Sequence, residues 1–481
     1  MTTEELYEIL NQIQKIKCET QVLELKSAGK GCPKRLYDTL SGFSNQDEGG
    51  IIVFGIDEER NYMETGVYDA QDLQKKIKEQ CLQMEPVVRP LLTVAEKDGK
   101  NFVAAEIPGM DLAERPCYYK GHGRLKGSYT RIGDSDEPMT EYEVYSYEAF
   151  RKKYQDDVRG IPRASMASLH REKLADYIRK LKDGKPNLAH LTDAEIYELM
   201  GITRDGGVTL SAGLLFGLYP QSYFPQLCVT AVVVPGKEVG ETGEMGERFL
   251  DNERIEGSIP EMLSGALQFV RRNMRTKTII HSDSGRREDR TDYPMAAVRE
   301  AVLNALVHRD YSMHTEGMPV QILMFEDRME IHNPGGLYGR LRLNQLGRLQ
   351  PDTRNPVLAA ALEVLGITEN RYSGIPTIRR EFARYGMEAP EFTDERGRFC
   401  VKFYKERRKA ADMVQDGGAE VYNLIAFCRT PRTRKEICDY LGLSSVSYAM
   451  QVYIMPLVER GMIRLSIPDK PKSPKQLYYS C

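Results

Sequence analysis

The stretch Glu19–Gly31, ETQVLELKSAGKG, sets two carboxylates five residues apart, a lysine two residues past the second, and then a loop bearing glycine and lysine. Read as a strand, Val22 to Lys26 points Glu24 and Lys26 to one face and Leu23 and Leu25 to the other, because side chains alternate along an extended chain. Glu19 then arrives from the preceding turn. Two carboxylates meeting beside an ammonium can hold a hard divalent cation and steady a phosphate next to it, as phosphodiester hydrolysis requires. The same residues also suit a surface ion pair on an edge strand, which contributes little. Working outward, Leu6, Ile9, Leu10, Ile13 and Ile16 recur at helical spacing. Downstream, PKRLYDTLSGFSNQDEGG reads as an amphipathic helix ending in a polar turn. IIVFGID reads as a buried central strand whose end presents Asp57. Further strands are expected at LLTVAE, NFVAAEIP and GSYTRIG, completing an α+β domain to about residue 150.

The chain has 481 residues, enough for about three domains that each bury a core. Hydrophobic residues at 41% and charged residues at 28% describe a soluble globular composition. A net charge of -3 excludes polyanion binding by bulk charge. Residues 404–481 nevertheless hold thirteen Lys plus Arg against eight Asp plus Glu, so any nucleic-acid contact must be local. Nine cysteines form no C-x-x-C pair and no zinc-spaced His-Cys cluster, which reads as reduced thiols in a cytoplasmic protein. The polar start MTTEELYEIL and the lack of a long apolar run predict neither export nor membrane insertion.

The charged stretch RKKYQDDVRGIPRA marks a first boundary. Residues 160–405 then mix helices and strands: SAGLLFGLYP, the β run LCVTAVVVPG, a helix over PEMLSGALQFVRRNM and a second over PMAAVREAVLNALVHRDY. A hairpin in VQILMFEDRMEIHNPGG turns at Glu326 and Asp327. After a second charged linker, KERRKAADMVQDGG, residues 411–481 give three helical patterns and a basic hairpin, the order of a winged helix.

Glu19, the Glu24-x-Lys26 strand, the helix with SGFSN and the GGIIVFGID strand together resemble the Schlafen AlbA-type domain. SYTRIGDSDEPMT stands where that family has a Tyr-x-Arg-x-Gly-Ser segment. The resemblance covers roughly residues 10–140 and implies a nucleic-acid-binding or nuclease domain over 1–150. In Schlafen ribonucleases three acidic residues form a metal-dependent active site, and they fall here on Glu19, Glu24 and Asp57. Carried over, these would hold Mg²⁺ or Mn²⁺ while Lys26 neutralises developing charge. Lys30, Lys34 and Arg35 would hold the substrate backbone. The alternative is structural: Asp57 capping a turn and Glu24 pairing with Lys26.

In REAVLNALVHRDY, Glu300, Asn304 and His308 line one helix face while Val298, Ala301, Val302 and Ala305 line the other. With EIHNPGG, RNPVLAAAL and TENRYSGI downstream, this resembles the RecG-like carboxy-terminal module, a divergent relative of the GHKL ATP-binding fold, over roughly 200–405. The resemblance implies an ATP-binding, nucleotide-sensing or dimerising module within 160–405, and hence a homo-oligomer. Glu300 matches the water-activating glutamate and Asn304 the Mg²⁺ ligand. Asn333 with Gly335 and Gly336 matches the adenine-reading box, and Gly374 the phosphate loop. Asn333 replaces the family's aspartate, which weakens the contact to an adenine amine, and a single glycine offers a thin phosphate nest. Nucleotide binding is therefore expected, and hydrolysis is not.

In residues 411–481, PRTRKEICDYLGL offers Thr433 as a cap, and SSVSYAMQVYIMPLVERGMI supplies a recognition helix with Leu457, Val458 and Ile463 in the core. Lys470, Lys472 and Lys475 on the wing suit phosphate contact, although winged helices also bind proteins. The combined expectation is an α/β chain of three domains: a Schlafen-type α+β domain, a GHKL-like α/β sandwich and a winged helix. Its partners are RNA or DNA. The function expected first is a metal-dependent endoribonuclease on structured RNA such as tRNA, in stress or phage defence, and the alternative is a non-cutting DNA-binding transcriptional regulator.

Overall fold

The computed structural model describes every residue except 281–286, 369–372, 396, 406–423, 425–426, 441–449, 460–461, 468–475 and 481. Alternation along ETQVLELK works as expected. Leu23–Lys26 is an edge strand running parallel to Gly50–Phe54, which pairs antiparallel with Lys100–Ile107, itself paired with Leu91–Lys97. On one face Leu25, Val53, Phe102 and Ala104 pack against Leu6, Leu10 and Ile13 of the helix Thr3–Ile16. On the other, Ile52, Phe54 and Val103 meet Leu40 and Phe43 of Tyr37–Ser44, and Leu73 and Ile77 of Ala70–Cys81. The continuous apolar run IIVF reflects this double coverage. Gly50 is required by packing: a Cβ there would fall 2.4 Å from the Phe43 ring.

The charged stretch after residue 150 is less separate than its composition indicates. The helix Glu141–Lys152 runs across that point. Fully buried Asp157 accepts from the Val357 and Leu358 amides at 2.9 and 3.1 Å, capping the helix Pro356–Val364. Burial nonetheless raises the Asp157 pKa to about 6 against those bonds.

The central module is built on a six-stranded sheet ordered Asp251–Ile255, Val229–Val233, Val320–Met324, Arg328–Pro334, Arg398–Tyr404, Glu391–Glu395. The 229–233 and 320–324 strands are parallel and every other pair is antiparallel. The expected hairpin turns at residues 325–328, where the Phe325 amide donates to the Arg328 carbonyl at 2.8 Å. The helices Ile259–Asn273, Met295–His308 and Gly374–Arg384 cover one sheet face in a single large core.

In the carboxy-terminal region Leu457 and Ile463 are buried with Leu424, Ile437 and Tyr478, and Val458 packs alongside. Thr433 caps as expected, with Glu436 as its reciprocal partner, and Arg464–Leu465 pairs antiparallel with Tyr478–Tyr479. Lys470, Lys472, Lys475 and the start of the expected recognition helix, Ser444 to Tyr448, lie outside the described residues.

Candidate nucleic-acid and nucleotide sites

Facing the opposite way from Leu25, Glu24 is buried, 4% exposed. One of its oxygens pairs with Lys26, and the other lies 2.7 Å from Nη1 of Arg131. The same nitrogen sits 3.2 Å from Asp136, whose other oxygen accepts from the Thr39 hydroxyl at 2.7 Å. Arg131 Nη2 donates to the Thr20 and Leu23 carbonyls. Two carboxylates and two cations thus close a neutral network that ties the edge strand to the Tyr129–Ile132 and Ser135–Pro138 hairpin. Burial pushes the Asp136 pKa up despite Arg131 and Thr39. For Lys26 burial works downward, and Glu24 outweighs it to leave the pKa raised.

Glu19 accepts from the Leu25 amide at 2.7 Å. Burial drives its pKa up to about 7 against that bond, and the nearby charges of Glu24 and Glu58 add to the rise. Asp57 is placed apart from these groups. Glu24 stands opposite Ile52 in the parallel pair, so Asp57 comes five residues further along, past the bend at Gly55. There it begins a short hairpin and its carboxylate lies 3.5 Å from Arg60. The set Glu19, Glu24, Asp57 is accordingly not gathered within one ion's reach: among the described residues, the group of three ligand-type side chains whose donor atoms all lie within 4.8 Å is Glu330, His332 and Cys400. The structure brings Glu19 near Glu24, Glu58 and Lys26, and it adds Arg131 and Asp136, which the motif reading passes over although both lie in SYTRIGDSDEP.

Lys30 and Lys34 are exposed. Arg35 pairs with Asp38 at 2.8 Å and lies 5.2 Å above the Tyr37 ring. Tyr37 stacks on Tyr119 at 4.5 Å between centroids, and His122 meets both rings edge-on. Basic and aromatic side chains interleaved in this way suit phosphates and base faces together. The sequence holds the hint in KRLY, but Tyr119 and His122 join it only through the fold.

The central module encloses a cavity of about 580 Å³ against the sheet, lined by all six expected residues: Glu300, Asn304, Asn333, Gly335, Gly336 and Gly374. Glu300, Asn304 and His308 point into it from one helix, as their spacing requires. A Cβ at Gly374 would lie 2.4 Å from Glu300 Oε1 and 2.8 Å from Asn304 Nδ2, so any larger residue must displace the tips of those two side chains. Asn333 is 5% exposed, and among the described residues its side-chain oxygen has no hydrogen-bond partner. His308 opens onto the cavity, and its pKa is held below the ordinary range by the surrounding protein and by the Arg354 guanidinium.

Arg354 also lines this cavity and pairs with buried Asp310 at 2.5 Å. Asp310 accepts from the Ser312 amide and from the Tyr142 hydroxyl at 2.7 Å. Burial would raise the Asp310 pKa, but Arg354 and these donors outweigh it and keep it low. Through Tyr142 the helix that follows the amino-terminal domain touches the cavity wall. A second cavity of about 870 Å³ lies at this junction and shares Gly336, Leu337, Leu341 and Arg354 with the first.

A Schlafen-like sheet domain joined to a cavity-bearing α/β module defines the class, and comparison with known proteins agrees. Residues 19–140 match the family model "Schlafen, AlbA_2", and residues 317–403 match "Putative ATP-dependent DNA helicase recG C-terminal". The chain thus carries a Schlafen AlbA_2 domain followed by a RecG-like carboxy-terminal domain, a combination pointing to a nucleic-acid-related function. Residues 419–479, where a winged helix is expected, match "Filamentation induced by cAMP protein Fic-like, C-terminal domain". Among solved structures, the DIP2311 protein from Corynebacterium diphtheriae is similar at 17% identity and a TM-score of 0.41, over 96% of this chain and 92% of that one. The amino-terminal domain of a RecG-related protein from Nitrosomonas europaea is similar at 25% identity and a TM-score of 0.23, over 28% of this chain and 92% of that one. No curated protein matches. Among the described residues no helix is long and apolar enough to cross a membrane.

Proposed function

We propose that this chain is a nucleic-acid-binding protein with a nucleotide-taking central module, its amino-terminal domain contacting RNA or DNA without cutting it. The observation that carries the nucleotide half is Asn333. A buried acceptor with no partner among the described residues, facing a 580 Å³ cavity, is costly unless a ligand donor completes it, and the exocyclic amine of adenine is such a donor. Opposite it, Asn304 would hold Mg²⁺ beside Glu300, with Gly374 leaving room for phosphate. Magnesium would supply charge neutralisation for the phosphates. ATP is the nucleotide that fits this donor set.

On the nucleic-acid side, Lys30, Lys34 and Arg35 would contact phosphates, and the Tyr37–Tyr119 stack would receive a base. Residues 411–481 would form a winged helix adding phosphate contacts through Lys470, Lys472 and Lys475. A binding role without cleavage, as in a transcriptional regulator, is supported by Glu24: both its oxygens are engaged by cations of the protein, which leaves little charge for a metal. One observation favours the second reading, a metal-dependent endoribonuclease. Glu19, with its carboxyl near neutrality and crowded by Glu24 and Glu58, would be relieved by a bound cation.

Incubating the full chain with labelled structured RNA and with duplex DNA, in Mn²⁺ and in EDTA, separates these readings. Binding that persists in EDTA, leaves the strands intact and weakens in Arg35→Glu is expected. Mn²⁺-dependent cutting lost in Glu19→Gln would establish the nuclease instead, and no binding to either polymer would sink both.

A further inference from the structure

The face of the central sheet turned away from the nucleotide cavity carries a second constellation. In the Arg328–Pro334 strand, Ile331 and Asn333 point to the cavity, so the alternate positions Glu330 and His332 point to the opposite face. On the neighbouring strand Phe399 and Val401 line the cavity, which sends Cys400 to the same opposite face, directly across from His332 in the antiparallel register. Backbone register alone therefore puts a carboxylate, an imidazole and a thiol at three adjacent points of one sheet surface.

Their donor atoms converge. His332 Nε2 lies 2.8 Å from Glu330 Oε2 and 3.9 Å from Cys400 Sγ. Ligand bonds of about 2.0–2.3 Å arranged tetrahedrally hold neighbouring donors roughly 3.3–3.7 Å apart. The nitrogen–oxygen pair must open by about half an ångström and the sulfur–nitrogen pair close by a few tenths, changes within reach of side-chain rotation. Arg328 Nε donates to the other Glu330 oxygen at 2.7 Å, which fixes the carboxylate with Oε2 turned toward His332, the kind of outer support metal ligands receive. Glu330 and Cys400 are buried, and His332 is only partly covered, so an ion could enter from solvent beside the imidazole.

We propose that Glu330, His332 and Cys400 form a binding site for a divalent cation of the zinc class, on the sheet face opposite the nucleotide cavity. The donor set selects the metal: thiolate and imidazole suit Zn²⁺ or Co²⁺ and disfavour Mg²⁺ and Ca²⁺. Three protein ligands leave a fourth position for water. The site is distinct from the carboxylates of the amino-terminal domain and from Asn304.

Cobalt tests this directly, because a thiolate bound to Co²⁺ gives a near-ultraviolet charge-transfer band. Reduced, chelator-treated full-length protein is titrated with Co²⁺ and then with Zn²⁺. One equivalent of Co²⁺ should develop the band and Zn²⁺ should bleach it. Cys400→Ser should remove the band, whereas Cys18→Ser, altering an exposed cysteine, should leave it intact. His332→Gln should weaken Co²⁺ binding at least tenfold, and it serves as the deciding variant should Cys400→Ser fail to fold. The proposal is overturned if wild type develops no band at millimolar Co²⁺, if Cys400→Ser keeps it, or if His332→Gln binds like wild type.

Discussion

Replacing Glu24 with glutamine keeps the shape of the side chain, removes its charge and turns one acceptor oxygen into an NH2 donor. The Arg131 side chain is fully buried, with Glu24 at 2.7 Å and Asp136 at 3.2 Å as its carboxylate partners. Breaking a buried ion pair by removing one partner costs about 3–5 kcal/mol because the survivor is stranded. Asp136 still compensates Arg131 and Lys26 can turn to water, so Glu24→Gln should cost about 2–3 kcal/mol, below the usual range. For a domain of this size that corresponds to a fall in Tm of about 10 °C. Arg131→Met should cost more, about 4–5 kcal/mol, since it leaves Asp136 without a cation and Glu24 with Lys26 alone. Thermal unfolding of the full-length variants, following the first transition, reads both values. If Glu24→Gln melts within about 1 °C of wild type, the network does not hold the fold, Glu24 is available for other work, and the argument against catalysis fails with it.

The Glu19 carboxyl, raised to about 7, binds a proton more readily in the folded state than its ordinary value of 4.5 allows, so its stabilising contribution is full below pH 4.5 and is lost as pH climbs to 7. Glu19→Gln should flatten that part of the stability profile, as chemical denaturation at pH 5 and pH 8 would measure, and an unchanged slope would remove Glu19 as its source. Asn333→Leu should lower ATP affinity about tenfold, one hydrogen bond's worth, by calorimetry, and equal affinity would mean the adenine lies elsewhere. Tyr142→Phe, which loses the 2.7 Å bond to Asp310, should cost about 1 kcal/mol and speed proteolysis near residues 152–160, and an unaltered cleavage rate would show that the junction does not depend on this contact. Deleting residues 411–481 should flatten the salt dependence of duplex DNA binding by about one per lost phosphate contact, and an unchanged slope would favour a protein-interaction role for that region.

Local pattern carried much of this structure. Alternation predicted the two faces of Leu23–Lys26, the unbroken IIVF run predicted a strand covered on both sides, and i, i+4 spacing predicted that Glu300, Asn304 and His308 share a face. The resemblance located six cavity residues that lie far apart along the chain. What the sequence hid depends on long-range partners. Glu24 reads as a metal ligand or as a partner of Lys26 alone until the fold delivers Arg131, which makes it part of a buried network. Asp57 is adjacent in motif space, but register and the Gly55 bend carry it past Glu24. The Glu330–His332–Cys400 group needs the pairing of two strands some seventy residues apart in the chain, which no cysteine spacing reveals.

Calorimetric titration of Mg²⁺–ATP into full-length wild type and Gly374→Ala decides whether the central cavity is a nucleotide site. The wild type should take up one nucleotide per chain, with affinity that falls when Mg²⁺ is withheld. Gly374→Ala, whose added methyl would press on Glu300 and Asn304 at 2.4 and 2.8 Å, should fold normally and lose the heat. Absence of heat in the wild type at millimolar ATP, ADP and a non-hydrolysable analogue, or undiminished binding in Gly374→Ala, would show that this cavity does not take a nucleotide.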